Sequence, residues 1–195
     1  MTRPGGRTAR VRAQVLRATG DALAEQGFAH LDLADIARRA DVGKTTVYRR
    51  WGSVTALVAD LLIDMAEESS PRSDTGSLLG DLRANADLVL RTLTDPRQGR
   101  LFTSIIAAAT CDVQAAEALH GFYATRVAEW APCVERAIER GEAPEGTDAQ
   151  AVIRAVSAPL YYHLLTTGRI DPSVADQAAT AAAVAARAGV FVCQD

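Results

Sequence analysis

The chain has 195 residues, 48% of them hydrophobic, so it is long enough to bury a hydrophobic core, and two unequal domains fit it best. Its formal net charge of -3 is unevenly distributed, because residues 1–53 carry +5 and residues 54–195 carry -8. A basic end on an acidic body is the charge distribution expected of a DNA-binding module. The three cysteines are widely spaced, so neither a disulfide framework nor a Cys-x-x-Cys metal site is indicated, and a reducing, cytoplasmic setting is expected.

Two segments are candidates for membrane targeting, and neither has the composition that targeting requires. Residues 1–12 are rich in arginine and lack an apolar run, so they do not form a secretory signal. Residues 178–192 are mostly alanine and include Arg187, which makes them too short and too weakly hydrophobic to cross a bilayer. We therefore expect no membrane association.

Apolar residues recur at helical spacing along almost the whole chain, so the sequence predicts an all-α fold. The first helix is predicted over about residues 8–26, and Gly27 is its C-terminal cap. The second runs over about residues 33–40, and Asp32 caps its N-terminus.

A third, short helix follows the turn at residues 41–43, over Lys44 to Trp51. A glycine in a short turn between two short helices is typical of a helix-turn-helix. The first residues of this third helix suit base edges in a major groove, and these are Lys44, Thr45 and Thr46. The residues that follow suit phosphates, and these are Tyr48, Arg49 and Arg50. The alternative for this segment is a solvated surface helix.

Gly52-Ser53 ends this unit, and Ser53 can cap a fourth helix that runs past Met65. Residues 67–77 are polar and contain Pro71 and Gly76, so they form the clearest linker. Further helices are predicted at about residues 78–93, 99–110, 113–140, 148–167 and 172–191. Asp148 and Asp171 supply caps, whereas Pro132 and Pro159 should kink or break their helices.

Three motifs follow one family pattern: Gly27-Phe28, the run Ile36-Ala-Arg-Arg-Ala-Asp-Val-Gly-Lys-Thr-Thr-Val-Tyr-Arg-Arg-Trp51, and Gly52-Ser53. By these motifs, residues 11–65 resemble the DNA-binding region of the tetracycline-repressor (TetR) family of bacterial transcription regulators. Residues 140–165 look like the C-terminal domain of one branch of that family. The chain departs from the pattern at three positions where the family commonly has Thr, Gly and Lys, and these are Asp32, Asp41 and Val54.

The resemblance implies an N-terminal three-helix helix-turn-helix DNA-binding domain and a C-terminal helical bundle for ligand binding and dimerisation. We divide the chain into a DNA-binding head at 1–53, which extends into a connecting helix at 54–68, and a regulatory and dimerisation domain at 69–195. A homodimer through the helices at 148–167 and 172–191 is expected, since alanines let helices approach closely.

The same resemblance assigns roles to side chains of the head. Lys44, Thr45 and Thr46 would face bases or adjacent phosphates, Tyr48 would donate its hydroxyl to a phosphate, and Trp51 would pack inside. Arg49, Arg50 and Ser53 are further DNA-binding candidates. The arginines of the glycine-containing N-terminal tail could enter the minor groove or simply solubilise a disordered segment, and these are Arg3, Arg7, Arg10 and Arg12.

Aromatic and apolar residues of the body could line a ligand pocket or merely fill a core. The candidates are Phe102, Ile106, Tyr123, Trp130, Tyr161 and Tyr162. His120 and His163 lack partners at metal-binding spacing, so no metal or cofactor is expected. Cys111 and Cys133 have no flanking cations, which favours buried, apolar thiols over redox sensors.

The sequence therefore predicts a ligand-responsive, homodimeric DNA-binding transcriptional regulator. It would act as a repressor on a palindromic operator, and a small, partly apolar effector would release it. The alternative is a DNA-binding protein of the same fold that has no small-molecule ligand and acts through a protein partner or architecturally. No catalytic constellation rises above chance, so an enzyme is not expected.

Overall fold

A computed structural model describes residues 5–67 and 74–193 of the chain, except for the side chain of Arg7. Its helices are α1 (Gly5–Gln26), α2 (Leu33–Arg39), α3 (Lys44–Trp51), α4 (Val54–Glu67), α5 (Leu78–Thr94), α6 (Pro96–Ala109), α7 (Val113–Glu139), α8 (Ala149–Thr167) and α9 (Ser173–Arg187), with a 3-10 helix at Phe28–His30. Within the described residues, the only β-type pairing is an isolated bridge between Thr147 and Val192. The predicted all-α fold is confirmed.

Local signals placed most helix ends correctly. The carboxylates of Asp32 and Asp148 accept hydrogen bonds from the amides of Asp35 and Ala151, at 3.0 and 2.9 Å, so these two of the predicted caps are confirmed. Gly27 has a φ of 76° after the last turn of α1, a conformation in which glycine meets no Cβ penalty.

Three helix bounds differ from the expected ones. α1 already includes Gly5, so Arg7, Arg10 and Arg12 lie on a helix and not on a tail. α6 begins at Pro96, because proline has the backbone φ of a first helical residue and needs no amide partner there. α9 ends at Arg187, since Gly189 has a φ of 77° and turns the chain back towards Thr147.

The two internal prolines do not end their helices. α7 continues through Pro132, and α8 continues through Pro159. Both prolines remove one backbone donor from their helices, but the following turn remains helical in each case.

The helices form two compact units. The first unit contains α1 to α4 together with residues 97–122, and the second contains residues 69–96 and 123–195. α7 thus begins in the first unit and ends in the second. The sequence favoured a division at residue 69. It gave no indication that α6 and the start of α7 pack with the N-terminal helices.

In the first unit, side-chain hydrogen bonds hold α6 against the C-terminal half of α1. Arg97 donates to Asp21 at 2.7 Å. Arg100 and Ser104 donate to the backbone carbonyls of Ala24 and Leu23, at 3.0 and 3.1 Å. The carbonyl of Ala24 lies in the last turn of α1, where acceptors lack partners within the helix, so Arg100 satisfies it. The carbonyl of Leu23 already accepts from the amide of Gly27 at 3.0 Å, and Ser104 adds a second donor to it. These contacts join the two helices.

In the second unit, α5, α8 and α9 pack together closely. The buried face of α9 is formed by Val174 and by Ala175, Ala178, Ala179, Ala182, Ala183 and Ala186. Small side chains allow neighbouring helices to approach, and α8 contributes larger residues such as Val152 and Leu160 to the same core.

Candidate nucleic-acid interface

The turn between α2 and α3 is a Schellman motif. The amide of Val42 donates to the carbonyl of Ala37 at 3.0 Å, and the amide of Asp41 donates to that of Arg38 at 3.2 Å. Asp41 has a φ of 53° and is the only non-glycine residue with a positive φ in the described part of the chain. This left-handed conformation explains why glycine is the commoner residue here in the pattern noted above.

α3 has a narrow inward face and a broad outward one. Val47 is fully buried and Trp51 is 8% exposed, so the expected packing of Trp51 inside the unit is confirmed. The outward face consists of Lys44, Thr45, Tyr48, Arg49 and Arg50, with Thr46 half-buried at its edge. The structure therefore brings the candidates of α3 together on one surface.

The cations of this surface differ from those around it in their pairing. Among residues 5–67 and 74–193, no carboxylate lies within ion-pair distance of Lys44 or Arg49. The guanidinium of Arg50 lies 5.0 Å from the ring centroid of Trp51, in cation–π geometry. Arg39 of α2, in contrast, binds both Glu25 and Asp35, at 2.5 and 2.7 Å.

An open groove of about 740 Å³ runs beside α3. One wall is formed by Thr8, Val11 and Gln14 of α1. The other wall is formed by Asp41, Val42, Gly43, Thr46, Arg49 and Arg50. Arg49 and Arg50 give this groove two cations against the one carboxylate of Asp41, so its net positive charge suits a sugar-phosphate strand.

The remaining DNA-binding candidates fall in different surroundings. Ser53 accepts a hydrogen bond from the amide of Ala56 at 3.1 Å, so its hydroxyl oxygen already caps α4. Arg10 is exposed on α1. Arg3 lies outside the described residues, and so does the side chain of Arg7.

Arg12 does not fit the expected role of a DNA contact. Its guanidinium donates to the carboxylate of Asp60 at 2.7 and 3.1 Å and also to that of Asp64. Asp60 additionally accepts from the indole N–H of Trp51 at 2.8 Å. Sequence reasoning missed this cluster, because Asp60 lies 48 residues from Arg12 and no local pattern marks the pairing.

The pocket candidates fall in both units. In the first unit, Phe102 is buried and lies 5.6 Å from Phe122 between ring centroids, while Ile106 is half-buried. In the second, the rings of Tyr123 and Tyr161 meet edge to face at 5.3 Å.

The second unit also holds Trp130, which is buried, and Tyr162, which is 65% exposed and so has different surroundings from Tyr161. Burial raises the pKa of Tyr161 to about 12. It also raises the pKa of Tyr123, with a further contribution from Tyr161. Both phenols are therefore neutral at physiological pH.

The two central cysteines differ. Cys133 is buried as expected, and burial together with the charge of Asp81 raises the pKa of its thiol to about 12. Cys111 is exposed after the last turn of α6, so the expectation of a buried thiol was wrong there. The helix ends two residues before it, which turns the side chain out of the core.

No group of three or more His, Cys, Asp and Glu side chains is arranged to hold a metal ion in the described ranges of the chain. Within the same ranges, no helix combines the length and apolarity needed to cross a membrane.

Comparison with known proteins gives matches over both units. Residues 15–61 match the profile of bacterial regulatory proteins of the tetR family, and residues 72–182 match that of the tetracyclin repressor-like C-terminal domain. The HTH-type transcriptional regulator YdeS of Bacillus subtilis is 33% identical over 155 residues, which are 79% of this chain and 78% of YdeS.

Two further proteins are similar over most of their length. The DNA-binding transcriptional repressor TetR of Mycobacteroides abscessus is 28% identical over 161 residues, 82% of this chain and 84% of that protein. The crystal structure of the TetR family transcription regulator SCO0332 superposes with a TM-score of 0.71 at 30% identity, covering 94% of this chain and 99% of that one.

Proposed function

The chain belongs to the TetR family of DNA-binding transcriptional regulators, which are not enzymes, and we propose that it is a homodimeric repressor that a small effector releases from a palindromic operator. The observation that carries this proposal is the exposed α3 surface, where Lys44 and Arg49 have no acidic partner among the described residues. Its place of action would be the cytoplasm, where the operator lies. The similarity to the repressor of Mycobacteroides abscessus supports the sign of regulation.

We propose that α3 enters the major groove with its N-terminal end towards the base edges. Lys44, Thr45 and Thr46 occupy the first turn of the helix, where a helix-turn-helix contacts bases. Tyr48 and Arg49, one turn later on the exposed face, would bind phosphates. Arg7, Arg10, Arg50 and Ser53 are peripheral candidates in this proposal.

Substitutions in α3 test this reading. Tyr48→Phe removes one hydroxyl and is expected to weaken binding to all duplexes by a similar factor, because phosphate contacts carry no sequence information. Thr45→Ala is expected to change the order of preference among duplexes selected from random DNA by the wild-type protein. Unchanged affinity and preference in both variants would remove α3 as the reader.

A dimer would let two small DNA-binding surfaces act together, since their binding energies then combine on a two-fold operator. Apolar residues lie exposed on both C-terminal helices. On α8 these are Ala158, Tyr162 and Leu165, and on α9 they are Ala181 and Val184, with Ala188 directly after the last residue of α9. Each set repeats at three- or four-residue spacing, so each helix carries an outward apolar stripe next to its buried one.

The α9 stripe gives a direct test of dimerisation. Val184 is 59% exposed, so Val184→Glu should not disturb the chain's own core but should place a charge in the proposed interface. We expect the variant to sediment as a monomer at micromolar concentration and to lose most of its operator affinity. Val113→Glu is the matched control, because Val113 is 75% exposed at the start of α7. Equal masses for both variants and the wild type would contradict this interface.

The second unit supplies the groups for a partly apolar effector. Tyr123 and Tyr161 present aromatic surface and neutral hydroxyls. Asp81 and Asn85, one turn apart on α5, are buried, and one oxygen of each side chain has no protein donor among the described residues. An unpaired buried acceptor costs about 1–3 kcal/mol, so an effector that brings N–H or O–H groups would gain affinity there.

α4 and α7 form the proposed route from the effector to DNA. Asp112 caps α7 by accepting from the amide of Ala115 at 2.9 Å, and it also accepts from the hydroxyl of Thr55 at 3.1 Å. Thr55 lies in the first turn of α4, directly after the α3 segment. Since α7 continues into the second unit, a shift of α7 on effector binding would act on α4.

Effector response and its absence are separable by experiment. An effector found by a thermal-shift screen of partly apolar metabolites should lower duplex affinity. It can do so only by binding the DNA-free conformation of the protein more tightly than the DNA-bound conformation. In Thr55→Val, the effector is expected to bind as before but to change duplex affinity less. If no compound in the screen both binds and lowers duplex affinity, the result supports the alternative function. In that case the chain is a DNA-binding protein of this fold that acts through a protein partner or architecturally.

A further inference from the structure

We infer that Asp60 is a positioning residue for DNA reading: it fixes the rotation of α3 about its own axis by binding the indole N–H of Trp51 while it is itself held by Arg12. The inference rests on the proposed role of the α3 surface. It assigns a function to a side chain that does not itself touch DNA in that proposal.

The contacts of Asp60 join three helices at one carboxylate. Oδ2 accepts from Nε1 of Trp51, at the end of α3, at 2.8 Å. Oδ1 accepts from Nη2 of Arg12, in α1, at 2.7 Å, and Nε of Arg12 lies 3.1 Å from both oxygens. Asp60 itself belongs to α4, so the end of α3 is tied to α1 and α4 together.

The hydrogen bond from Trp51 to Asp60 matters because few other contacts fix the rotation of α3 about its own axis. Only Val47 and Trp51 of its eight residues are buried, and they lie four residues apart on one narrow line. Apolar contacts along one line resist separation of the helix from the core better than they resist rotation about that line, because they are not directional. A hydrogen bond to the indole is directional. The helix then ends at Gly52, whose φ of 74° turns the chain away.

The charge state of Asp60 supports this arrangement. Burial alone would raise the pKa of its carboxyl, but the hydrogen bonds from Arg12 and Trp51 outweigh burial and lower the pKa below the ordinary value. Asp60 is therefore a carboxylate at physiological pH and accepts from both donors at once. Charge-assisted hydrogen bonds of this kind are shorter and stronger than neutral ones.

Asp64 provides a matched control within the same cluster. It lies one turn after Asp60 on α4 and binds Arg12, but among the described residues it makes no hydrogen bond to Trp51. Asp60→Leu and Asp64→Leu therefore remove the same charge from the same arginine. Only the first removes the acceptor of the indole.

The experiment compares these variants of the full chain on a duplex selected by the wild-type protein from random DNA and on a shuffled duplex. We expect Asp60→Leu to reduce the preference for the selected duplex by about tenfold, which is the scale of one hydrogen bond to a charged group. Asp64→Leu should leave the preference within about twofold. Asp60→Asn, which keeps an acceptor oxygen, should restore most of the lost preference.

The indole itself gives a second readout. In Asp60→Leu the N–H resonance of Trp51, assigned with the help of Trp130→Phe, should move upfield and exchange faster with solvent, whereas Asp64→Leu should leave it in place. If Asp60→Leu does not fold, Trp51→Phe removes the same hydrogen bond and keeps most of the ring, and the same loss of preference is expected.

Equal preference in Asp60→Leu, Asp64→Leu and the wild type would overturn the inference, and so would an indole resonance that ignores Asp60→Leu. A wild-type protein without salt-sensitive affinity for any duplex would instead overturn the proposed function itself. The two failures are therefore distinguishable.

Discussion

Arg12 and Arg49 are the same residue type in the same compact unit, yet their surroundings are opposite. Arg12 lies between α1 and α4, where two carboxylates of α4 bind its guanidinium. Arg49 lies on the exposed face of α3, where no carboxylate among the described residues comes within ion-pair distance. Net charge counts both residues equally. The structure separates a cation that holds helices together from a cation that is available to phosphates.

This difference shows how the positive end of the chain is used. Arg12, Arg38 and Arg39 neutralise carboxylates of their own unit. The excess charge is therefore concentrated on α3 and on exposed arginines of α1 such as Arg10 and Arg17. A field concentrated at one surface steers a polyanion to that surface more effectively than an evenly spread charge would.

The largest effect is expected at Arg12, the arginine that is paired within its own unit. Arg12→Met should destabilise the chain by about 2 kcal/mol, because it removes the shared cationic donor of two partly buried carboxylates and leaves Asp60 with only the indole N–H of Trp51. Urea unfolding followed by circular dichroism measures this change. Arg10→Met, on the exposed side of α1, should change the free energy of unfolding by less than about 0.5 kcal/mol. Similar losses in the two variants would contradict the structural role of Arg12.

The exposed side of the comparison should respond in affinity and not in stability. Lys44→Ala is expected to weaken binding to a selected duplex about tenfold, the scale of one specific base or phosphate contact. Its thermal unfolding should match that of the wild type, since Lys44 has no partner in the described residues. Arg91→Ala, an exposed residue of α5, changes the net charge equally and should leave duplex affinity unchanged. A loss of affinity in Arg91→Ala as large as in Lys44→Ala would mean that total charge, and not the α3 surface, determines binding.

A smaller effect is expected at the turn before α3. Asp41 has a φ of 53°, whereas Gly141 occupies the equivalent position of a second Schellman motif with a φ of 74°. Asp41→Gly should therefore stabilise the chain by about 0.5–1 kcal/mol, and Gly141→Asp should destabilise it by a similar amount. Chemical unfolding of both variants checks the pair. A destabilised Asp41→Gly would show that the aspartate side chain makes a stabilising contact of its own.

The smallest effect concerns acid. The pKa of Asp60 is lower in the folded chain than its ordinary value of 3.8, so its contribution to stability is complete above that pH and is lost as the pH falls through the lower, folded value. The contribution of Asp60 to the wild-type free energy of unfolding should therefore stay constant down to about pH 4 and decrease at lower pH. In Asp60→Asn this part of the fall should be missing. The same decrease in unfolding free energy at acidic pH in both proteins would contradict the lowered pKa of Asp60.

Features that depend on neighbouring residues in sequence were predicted correctly. The caps at Asp32 and Asp148 and the short turn before α3 follow from spacing within one or two helical turns, and the buried position of Trp51 follows from the family resemblance. The pattern around α3 is of this local kind, which is why the candidate interface could be placed from sequence.

Features that depend on distant residues were not predicted. Nothing near Arg12 in the sequence indicates Asp60, and nothing near residues 97–122 indicates that they pack with α1. The exposure of Cys111 depends on where α6 ends and the chain turns, and the absence of flanking cations gave the opposite expectation. Contacts between residues that are distant in the sequence determine these three features, and no pattern of neighbouring residues indicates such contacts.

The most direct test of the central claim is the salt dependence of duplex affinity in the wild type and in Arg49→Ala. If Arg49 on the α3 surface binds a phosphate, the slope of log affinity against log salt concentration should be steep in the wild type and should decrease by about one in the variant. Arg12→Lys, at the arginine that is paired with Asp60 and Asp64, should keep the wild-type slope. The same slope in Arg49→Ala as in the wild type would contradict the claim that this face of α3 is where the protein meets DNA.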